Sequence, residues 1–210
     1  MVNLRKEAKI NLVKGQRICL TKTAEKSGEK INFAFLGANW SSLKDGSSVD
    51  LDLSVLVYDK NKKLIDINYY GKLISDDRAL KHSADDLDGD DNGQMDDRDN
   101  EIIKIDFDKI TSKAEYLVCV LNSYRHQNFG IIPGIECRIY TNNSGRENDV
   151  DEVLASYKID NNEDYEGNEA IILAHFYRHN DLWKFAVDSI GSSEKSISEI
   201  SKGTALKVID

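Results

Sequence analysis

Apolar and polar residues alternate with a period of two along most of this chain, which is the pattern of strands that bury one face. The alternation is clearest over residues 49–58, where Asp50 and Asp52 fall between apolar neighbours. Residues 116–122 are apolar throughout, as expected of a strand buried on both faces. The pattern predicts ten strands, at residues 14–23, 30–37, 49–58, 63–70, 101–107, 116–122, 135–141, 154–159, 170–178 and 183–187.

Turn-forming residues separate these segments. Residues 142–145 are rich in Asn and Gly, and Asn180 with Asp181 predicts a hairpin between the last two strands. Helical character is weak and limited to residues 150–157 and the tail after Gly191. Many short strands joined by such turns predict an all-β sandwich.

Length and composition fit one domain over residues 1–190, followed by a tail at 191–210 that either forms a short docking helix or stays flexible. The chain has 210 residues and three scattered cysteines, Cys19, Cys119 and Cys137, which we expect to be reduced thiols in the core. Its apolar runs are far shorter than the roughly 20 residues that span a bilayer. We therefore expect a cytoplasmic protein that is not itself transmembrane.

The negative charge is concentrated in one segment. Residues 76–101 contain eleven acids and three bases, so this segment carries −8 of the chain's formal charge of −9. An acidic chain repels nucleic acids and anionic membranes. The charge therefore excludes nucleic acid as the main partner and leaves cations, basic partners or neutral ligands.

The densest part of this acidic segment, residues 85–93, predicts a site for a hard divalent cation. It offers five Asp, one Asn and two Gly in nine residues. Calcium takes about six to eight oxygen ligands of these types, whereas zinc prefers His and Cys. The alternative is an acidic surface loop that is disordered and needs no ion.

Part of the segment follows the spacing of an EF-hand loop. Counted from Asp88 as position 1, the first half of the pattern is present. Position 12 is Asp instead of Glu, and an alternating strand pattern from Glu101 replaces the second helix. The residues in this register are Asp88, Asp90, Asn92, Gly93, Asp96 and Asp99. We therefore predict a local likeness to an EF-hand loop on a β scaffold.

Asp50 and Asp52 form a second acidic pair. At strand spacing both side chains project from one face, about 7 Å apart. Because the loops of a sandwich cluster at its ends, this pair is in a position to complete the same cation site. The alternative is that the pair lies on the solvated face of an edge strand.

No catalytic set accompanies these acids. His175 and His179 have the i, i+4 spacing of a zinc helix, but in a strand they would lie about 13 Å apart. For His82 and His126 we predict structural roles, because no nucleophile motif accompanies them. The alternative function is a metal-dependent enzyme that uses a carboxylate-held cation and its bound water, with His82 as a base.

Several motifs in this order resemble the TerD family of tellurium-resistance and stress-response proteins, from about residue 11 to residue 187. The motifs are NLVKG at 11–15, LTK at 20–22, DLDLS at 50–54, HSADDLDG at 82–89, DNE at 99–101, QNFG at 127–130, YRHN at 177–180 and WKF at 183–185. The resemblance implies a TerD-like β-sandwich with an acidic, calcium-binding loop at one end.

The resemblance also implies a ligand set. Its members are Asp50, Asp52, Asp85, Asp86, Asp88 and Glu101. Residues 90–98 are longer and more acidic than the family pattern, which adds Asp90, Asn92, Asp96 and Asp99 as candidates and predicts a second calcium ion. The resemblance further implies non-enzymatic work with other tellurium-resistance proteins, in a membrane-associated complex on the cytoplasmic side.

Overall fold

The chain is described here by a computed structural model that covers residues 10–19, 32–159, 162–180 and 182–209. The strands among these residues are β1 (Arg17–Cys19), β2 (Phe33–Trp40), β3 (Leu51–Asp59), β4 (Leu64–Asn68), β5 (Leu80–His82), β6 (Glu101–Asp106), β7 (Ala114–Ser123), β8 (Ile135–Thr141), β9 (Glu152–Ile159), β10 (Ala170–His179) and β11 (Leu182–Ser192). Short 3-10 helices lie at Asp91–Gly93, Phe129–Ile131 and Asn162–Tyr165, and helical turns α1 (Ile197–Ile200) and α2 (Thr204–Lys207) end the chain. No helix in these ranges is long and apolar enough to cross a membrane.

The strands form two antiparallel sheets. The six-stranded sheet has the order β1-β11-β10-β7-β3-β4, and the five-stranded sheet has the order β5-β6-β2-β8-β9. Inward side chains from both sheets share one apolar core. The predicted all-β sandwich is therefore confirmed.

The predicted strands match the structure at their centres and differ at their ends. The weak helical pattern over residues 150–157 is wrong, because Glu152–Ile159 is a strand whose alternate residues pack into the core. Strand β5 was missed because it has three residues, too few to show a period. The predicted hairpin joins β10 to β11 with Asn180 at a positive φ of 52°. Predicted positions 20–23, 30, 31 and 181 lie outside the described residues.

Strand β3 is an inner strand of its sheet, between β7 and β4. Leu51 and Leu53 point into the main core, so Asp52 and Ser54 point to the outer face. That face is not solvated at this level, because Asp52 is 2% exposed and Ser54 is 1% exposed. The alternative of a solvated edge strand is therefore wrong.

The last residues cover part of the outer face of the six-stranded sheet. Ile200 and Ala205 are fully buried against outward side chains such as Leu56 and Val118. The Tyr58 hydroxyl donates a hydrogen bond of 2.7 Å to the Ser201 carbonyl oxygen. Of the two alternatives left open for residues 191–210, these contacts favour docked helical turns.

We expect Ile200→Ala to lower the free energy of unfolding by about 2–4 kcal/mol, because it removes buried methyl groups and leaves a cavity. Urea denaturation of the full chain measures the change. The matched control is Ile131→Ala, since Ile131 is 55% exposed. Equal losses in the two variants would show that the last helical turns do not belong to the cooperative unit.

Candidate metal centre

Three carboxylates converge at one end of the sandwich. Asp50, Asp52 and Asp85 each offer an oxygen, and these oxygens lie within 4.8 Å of one another. Asp50 precedes β3, Asp52 lies within it, and Asp85 comes from the loop between β5 and β6. Among the described residues, this is the one group of three or more His, Cys, Asp or Glu side chains that meets so closely. We call these residues the carboxylate trio.

The neighbouring strand and loop hold the two buried members in place. Asn122 lies opposite Asp52 in the register of β7 with β3, and its amide donates to Asp52 Oδ2 at 2.9 Å. Arg125 Nε lies 3.3 Å from Asp50 Oδ2. The backbone N–H of Tyr124 donates to the Asp50 carbonyl oxygen at 3.0 Å. One oxygen of each buried carboxylate is therefore held by a protein donor.

The other oxygen of each carboxylate is available to a ligand. Asp50 and Asp52 are 3% and 2% exposed, and their Oδ1 atoms accept no hydrogen bond from the part of the chain that the structure describes. A buried carboxylate oxygen without a donor carries a large desolvation cost. The buried Asp50 and Asp52 and the exposed Asp85 form an oxygen-only donor set that fits a hard divalent cation.

The burial of these acids shifts their protonation. Burial raises the pKa of Asp52 to about 7, and the charges of Glu101, Asp50 and Asp85 add to the shift. Burial also raises the pKa of Asp50, although Arg125 opposes this. At neutral pH the trio therefore holds negative charge that is unfavourable without a cation.

Glu101 lies beside the trio and connects the acidic loop to β3. Its Oε2 accepts from the Leu53 backbone N–H at 2.6 Å, and its Oε1 accepts from the Asp86 backbone N–H at 3.3 Å. His82 Nε2 lies 3.4 Å from Glu101 Oε2 and 3.0 Å from the Leu53 carbonyl oxygen. Burial alone would lower the pKa of His82, but the neighbouring Glu101 reverses the direction and raises it. Glu101 is thus engaged with protein donors, and His82 is held in a buried polar contact beside it.

Three further loop acids, Asp86, Asp90 and Asp96, are also held by protein donors. Asp86 Oδ1 accepts from the backbone N–H groups of Asp88, at 3.1 Å, and Gly89, at 2.9 Å. Asp90 Oδ2 accepts from the Asp96 N–H at 2.5 Å, and Asp96 Oδ1 accepts from the Arg98 N–H at 2.5 Å. These carboxylates shape the turns of the loop, and none joins the trio. The side chain of Asn92 lies outside the described residues.

Asp99 lies away from the trio, on the outer face of the five-stranded sheet. The single Nε–H of Arg138 on β8 donates a bifurcated hydrogen bond to both Asp99 carboxylate oxygens, at 2.8 and 3.0 Å, and both side chains are buried. A β-carbon at Gly37 would overlap the Asp99 carboxylate, so a glycine there makes room for the ion pair. No sequence pattern predicts this pair, because the two residues are 39 positions apart.

The two histidines with zinc spacing are not brought together as a site. His175 Nδ1 contacts Asp188 Oδ2 at 2.8 Å on neighbouring strands, whereas His179 is an exposed residue at the end of β10. Burial raises the pKa of Asp188, and His175 and Arg17 oppose that shift. Both histidines lie on strand β10, four positions apart, which is the strand geometry that the sequence pattern predicts.

In metal-free buffer we expect Asp52→Asn to be more stable than the wild type at pH 8 and similar to it at pH 4. The folded pKa of about 7 lies above the unfolded value near 3.9, so the folded state binds more protons between these values. Wild-type stability therefore falls as pH rises through that window, by an amount on the order of 2–4 kcal/mol. Urea denaturation in EGTA at several pH values measures this. The control is Asp91→Asn, at an exposed residue of the same loop. A difference in unfolding free energy between Asp52→Asn and the wild type that does not change with pH would contradict the expectation.

Comparison with known proteins places this chain in a family. The TerD domain profile matches residues 8–201. The chain is 31% identical to the stress response protein SCP2 of Bacillus subtilis (strain 168), over 91% of this chain and 96% of that protein. It is 28% identical to the tellurium resistance protein TerZ of Serratia marcescens, over 84% of this chain and 86% of that protein.

A solved structure shares the fold. A homologue of telluride resistance protein (TerD) from Streptomyces coelicolor A3(2) superposes with a TM-score of 0.64 and 15% identity, covering 83% of this chain and 98% of that chain. This likeness concerns the fold, and the family rests on the profile and the sequence relatives. The chain belongs to the TerD domain family, whose relatives include tellurium-resistance and stress-response proteins.

Proposed function

We propose that this TerD-family protein is a calcium-binding, non-enzymatic stress-response protein of the tellurite-resistance type, and that Asp50, Asp52 and Asp85 hold the ion. The observation that carries the proposal is the pair of buried Oδ1 atoms of Asp50 and Asp52, to which no described residue donates a hydrogen bond. A cation would supply the missing partner for both atoms. It would also offset the repulsion within the carboxylate trio.

The donor set favours calcium among the common divalent cations. All three side chains offer oxygen, which disfavours zinc. Magnesium keeps most of its water and uses few protein ligands, whereas calcium accepts many oxygens in a flexible arrangement. Backbone carbonyl oxygens and water from the loop would complete a calcium shell.

Calcium would join the acidic loop to the sheet. Asp85 is the exposed member of the trio and comes from the loop, whereas Asp50 and Asp52 are fixed at β3. Binding of one ion to both segments would order the loop and present its outer side, including the 53% exposed Leu87, to a partner. We propose other tellurium-resistance proteins as those partners, in a membrane-associated complex on the cytoplasmic side.

A second calcium ion in the loop stays a prediction. Its predicted ligands are Asp90, Asn92, Asp96 and Asp99, of which Asp99 is engaged by Arg138. Because backbone N–H groups already occupy oxygens of Asp90 and Asp96, a second ion would have to use their remaining lone pairs or rearrange the turns. We therefore expect it to bind more weakly than the ion at the trio.

The alternative function, a metal-dependent enzyme, would need a base that reaches a metal-bound water. His82 was the candidate, and it is 1% exposed with Nε2 engaged by Leu53 and Glu101. This engagement favours the binding function over the enzyme. The curated relatives are likewise named for resistance or stress response and not for a reaction.

Calorimetric titration of the metal-stripped full chain should detect calcium binding tighter than about 10⁻⁴ M, within the range of protein calcium sites. Asp85→Asn should weaken it at least about tenfold, because it removes a charged ligand. Asp91→Asn is the matched control and should change affinity by less than about threefold, since it makes the same charge change outside the trio. Magnesium serves as competitor, and the stoichiometry reports the second ion.

A hundredfold excess of calcium over Kd should raise stability by about 2.7 kcal/mol, and the melting temperature by about 5–10 °C. Absence of both heat and a melting shift would overturn calcium binding for this chain.

Hydrogen exchange of the backbone amides in residues 85–100 tests the ordering of the loop. We expect protection to rise by at least about tenfold when calcium saturates the wild type, because local opening would then require release of the ion. The Asp85→Asn variant should show no such rise at the same calcium concentration. Calcium binding without added protection would contradict the ordered partner surface and leave the ion site intact.

A further inference from the structure

A cavity of about 460 Å³ lies beside Asp52 on the outer face of the six-stranded sheet. Its volume falls within the roughly 300–1,000 Å³ of small-molecule sites. Three tyrosines form much of its lining, and residues 195–197 of the C-terminal segment close one side. We call it the tyrosine pocket, and its aromatic members are Tyr69, Tyr70 and Tyr124.

The three rings form a connected wall. Tyr69 and Tyr70 have ring centroids 5.2 Å apart, and Tyr70 and Tyr124 have centroids 6.0 Å apart, both in edge-to-face arrangement. The first two rings are carried by a tight turn. In this turn the Lys72 N–H donates to the Tyr69 carbonyl oxygen at 2.8 Å. A β-carbon at Gly71 would lie 2.6 Å from the Tyr69 ring, so the turn packs closely against it.

The rings are accessible to a ligand. Tyr70 is 37% exposed and Tyr124 is 59% exposed, so both rings offer surface to a ligand. Exposed aromatic faces carry negative electrostatic potential and attract cations within about 6 Å of the ring centre.

The inner side of the pocket is polar and negative. Asp52, Ser54, Asn122 and Ser123 line it, and Asp52 is 2% exposed. Among the described residues, none donates a hydrogen bond to Asp52 Oδ1. Burial raises the pKa of the Tyr70 hydroxyl, and the charge of Asp52 adds to this shift, which agrees with their proximity.

Two basic side chains also line the pocket. Lys195 is exposed. His126 is paired with Glu169, because its Nδ1 lies 2.7 Å from Glu169 Oε2. Lys195 is thus the one lining residue whose charge disfavours a cationic ligand and favours an anionic ligand. Removal of the Lys195 side chain should therefore strengthen the binding of a cationic ligand and weaken the binding of an anionic ligand.

We propose that the tyrosine pocket binds an organic cation, an alkylammonium or guanidinium group, between the tyrosine rings and the carboxylate of Asp52. The rings supply cation–π contacts, and the carboxylate supplies the countercharge and a hydrogen-bond acceptor. The cation comes either from a free small molecule or from a lysine or arginine side chain of a protein. This site goes beyond the proposed calcium site, and Asp52 is the one member of the carboxylate trio that lines it.

NMR titration of the full-length, metal-stripped protein in EGTA tests the proposal with n-butylammonium and ethylguanidinium chlorides as probes. We expect saturable shifts at the amides of Tyr70, Asn122 and Tyr124. Neutral n-butanol and sodium acetate are matched probes without the positive charge and should give no saturable shifts there. Saturation by acetate, or by butanol as tightly as by butylammonium, would overturn the proposal, as would absence of shifts with both cations.

Two blocked peptides, acetyl-Gly-Lys-Gly-amide and acetyl-Gly-Arg-Gly-amide, separate the sources of the cation. Peptide binding at least as tight as that of the free cation would support a protein side chain as the source. Weaker peptide binding would support a small molecule.

Variants outside the carboxylate trio sharpen the test. Tyr124→Leu should weaken cation binding about three- to tenfold because it removes an aromatic face, whereas Tyr124→Phe keeps the ring and should change it less than twofold. Lys195→Ala should strengthen cation binding. Weaker binding in Lys195→Ala, or equal binding in Tyr124→Leu and the wild type, would contradict the proposed contacts.

The calcium site and the tyrosine pocket can be tested independently of each other. Tyr124→Leu should leave calcium affinity unchanged, whereas Asp52→Asn should weaken binding of calcium and of the organic cation. Cation binding in a protein that shows no calcium heat would overturn the calcium proposal alone. Calcium binding without cation shifts would overturn the tyrosine pocket alone.

Discussion

Repulsion between carboxylates that are held together in a poorly solvated place is the constraint on which this end of the sandwich depends. Asp50 and Asp52 are almost fully buried, and Asp85 brings a third charge to within 4.8 Å. Water would normally screen such charges, but burial removes most of that screening. The folded chain therefore carries an unfavourable charge density that either protonation or a cation must offset.

The surrounding residues divide the acids of this region into two groups. Glu101 ties the loop to the Leu53 backbone, and Asp86, Asp90 and Asp96 accept hydrogen bonds within the loop. These carboxylates use their charge to satisfy backbone N–H groups and so fix the path of the chain. The trio has fewer protein donors, which leaves its oxygens for an external cation.

Asp52 links the two sites that we propose. It meets Asp50 and Asp85 within the trio, and it also lines the tyrosine pocket with Tyr70 and Tyr124. Calcium and an organic cation would both be drawn to its carboxylate, so their binding would be coupled through one residue. The exposed rings next to the acids would then serve to extend recognition beyond a metal ion.

The period of two in the sequence was enough to predict the described strands except β5, because a strand in a sandwich must bury one face and side chains alternate across it. The density of acids was enough to predict which end of the sandwich gathers carboxylates, because Asp85 of the acidic segment meets Asp50 and Asp52. Sequence could not decide which acids face one another, since Asp99 pairs with Arg138 from a distant strand and Asp52 meets Asn122 only through strand register. Tertiary structure alone decided those partners and the tyrosine pocket, because contacts between residues far apart in the chain depend on how the sheets align and pack.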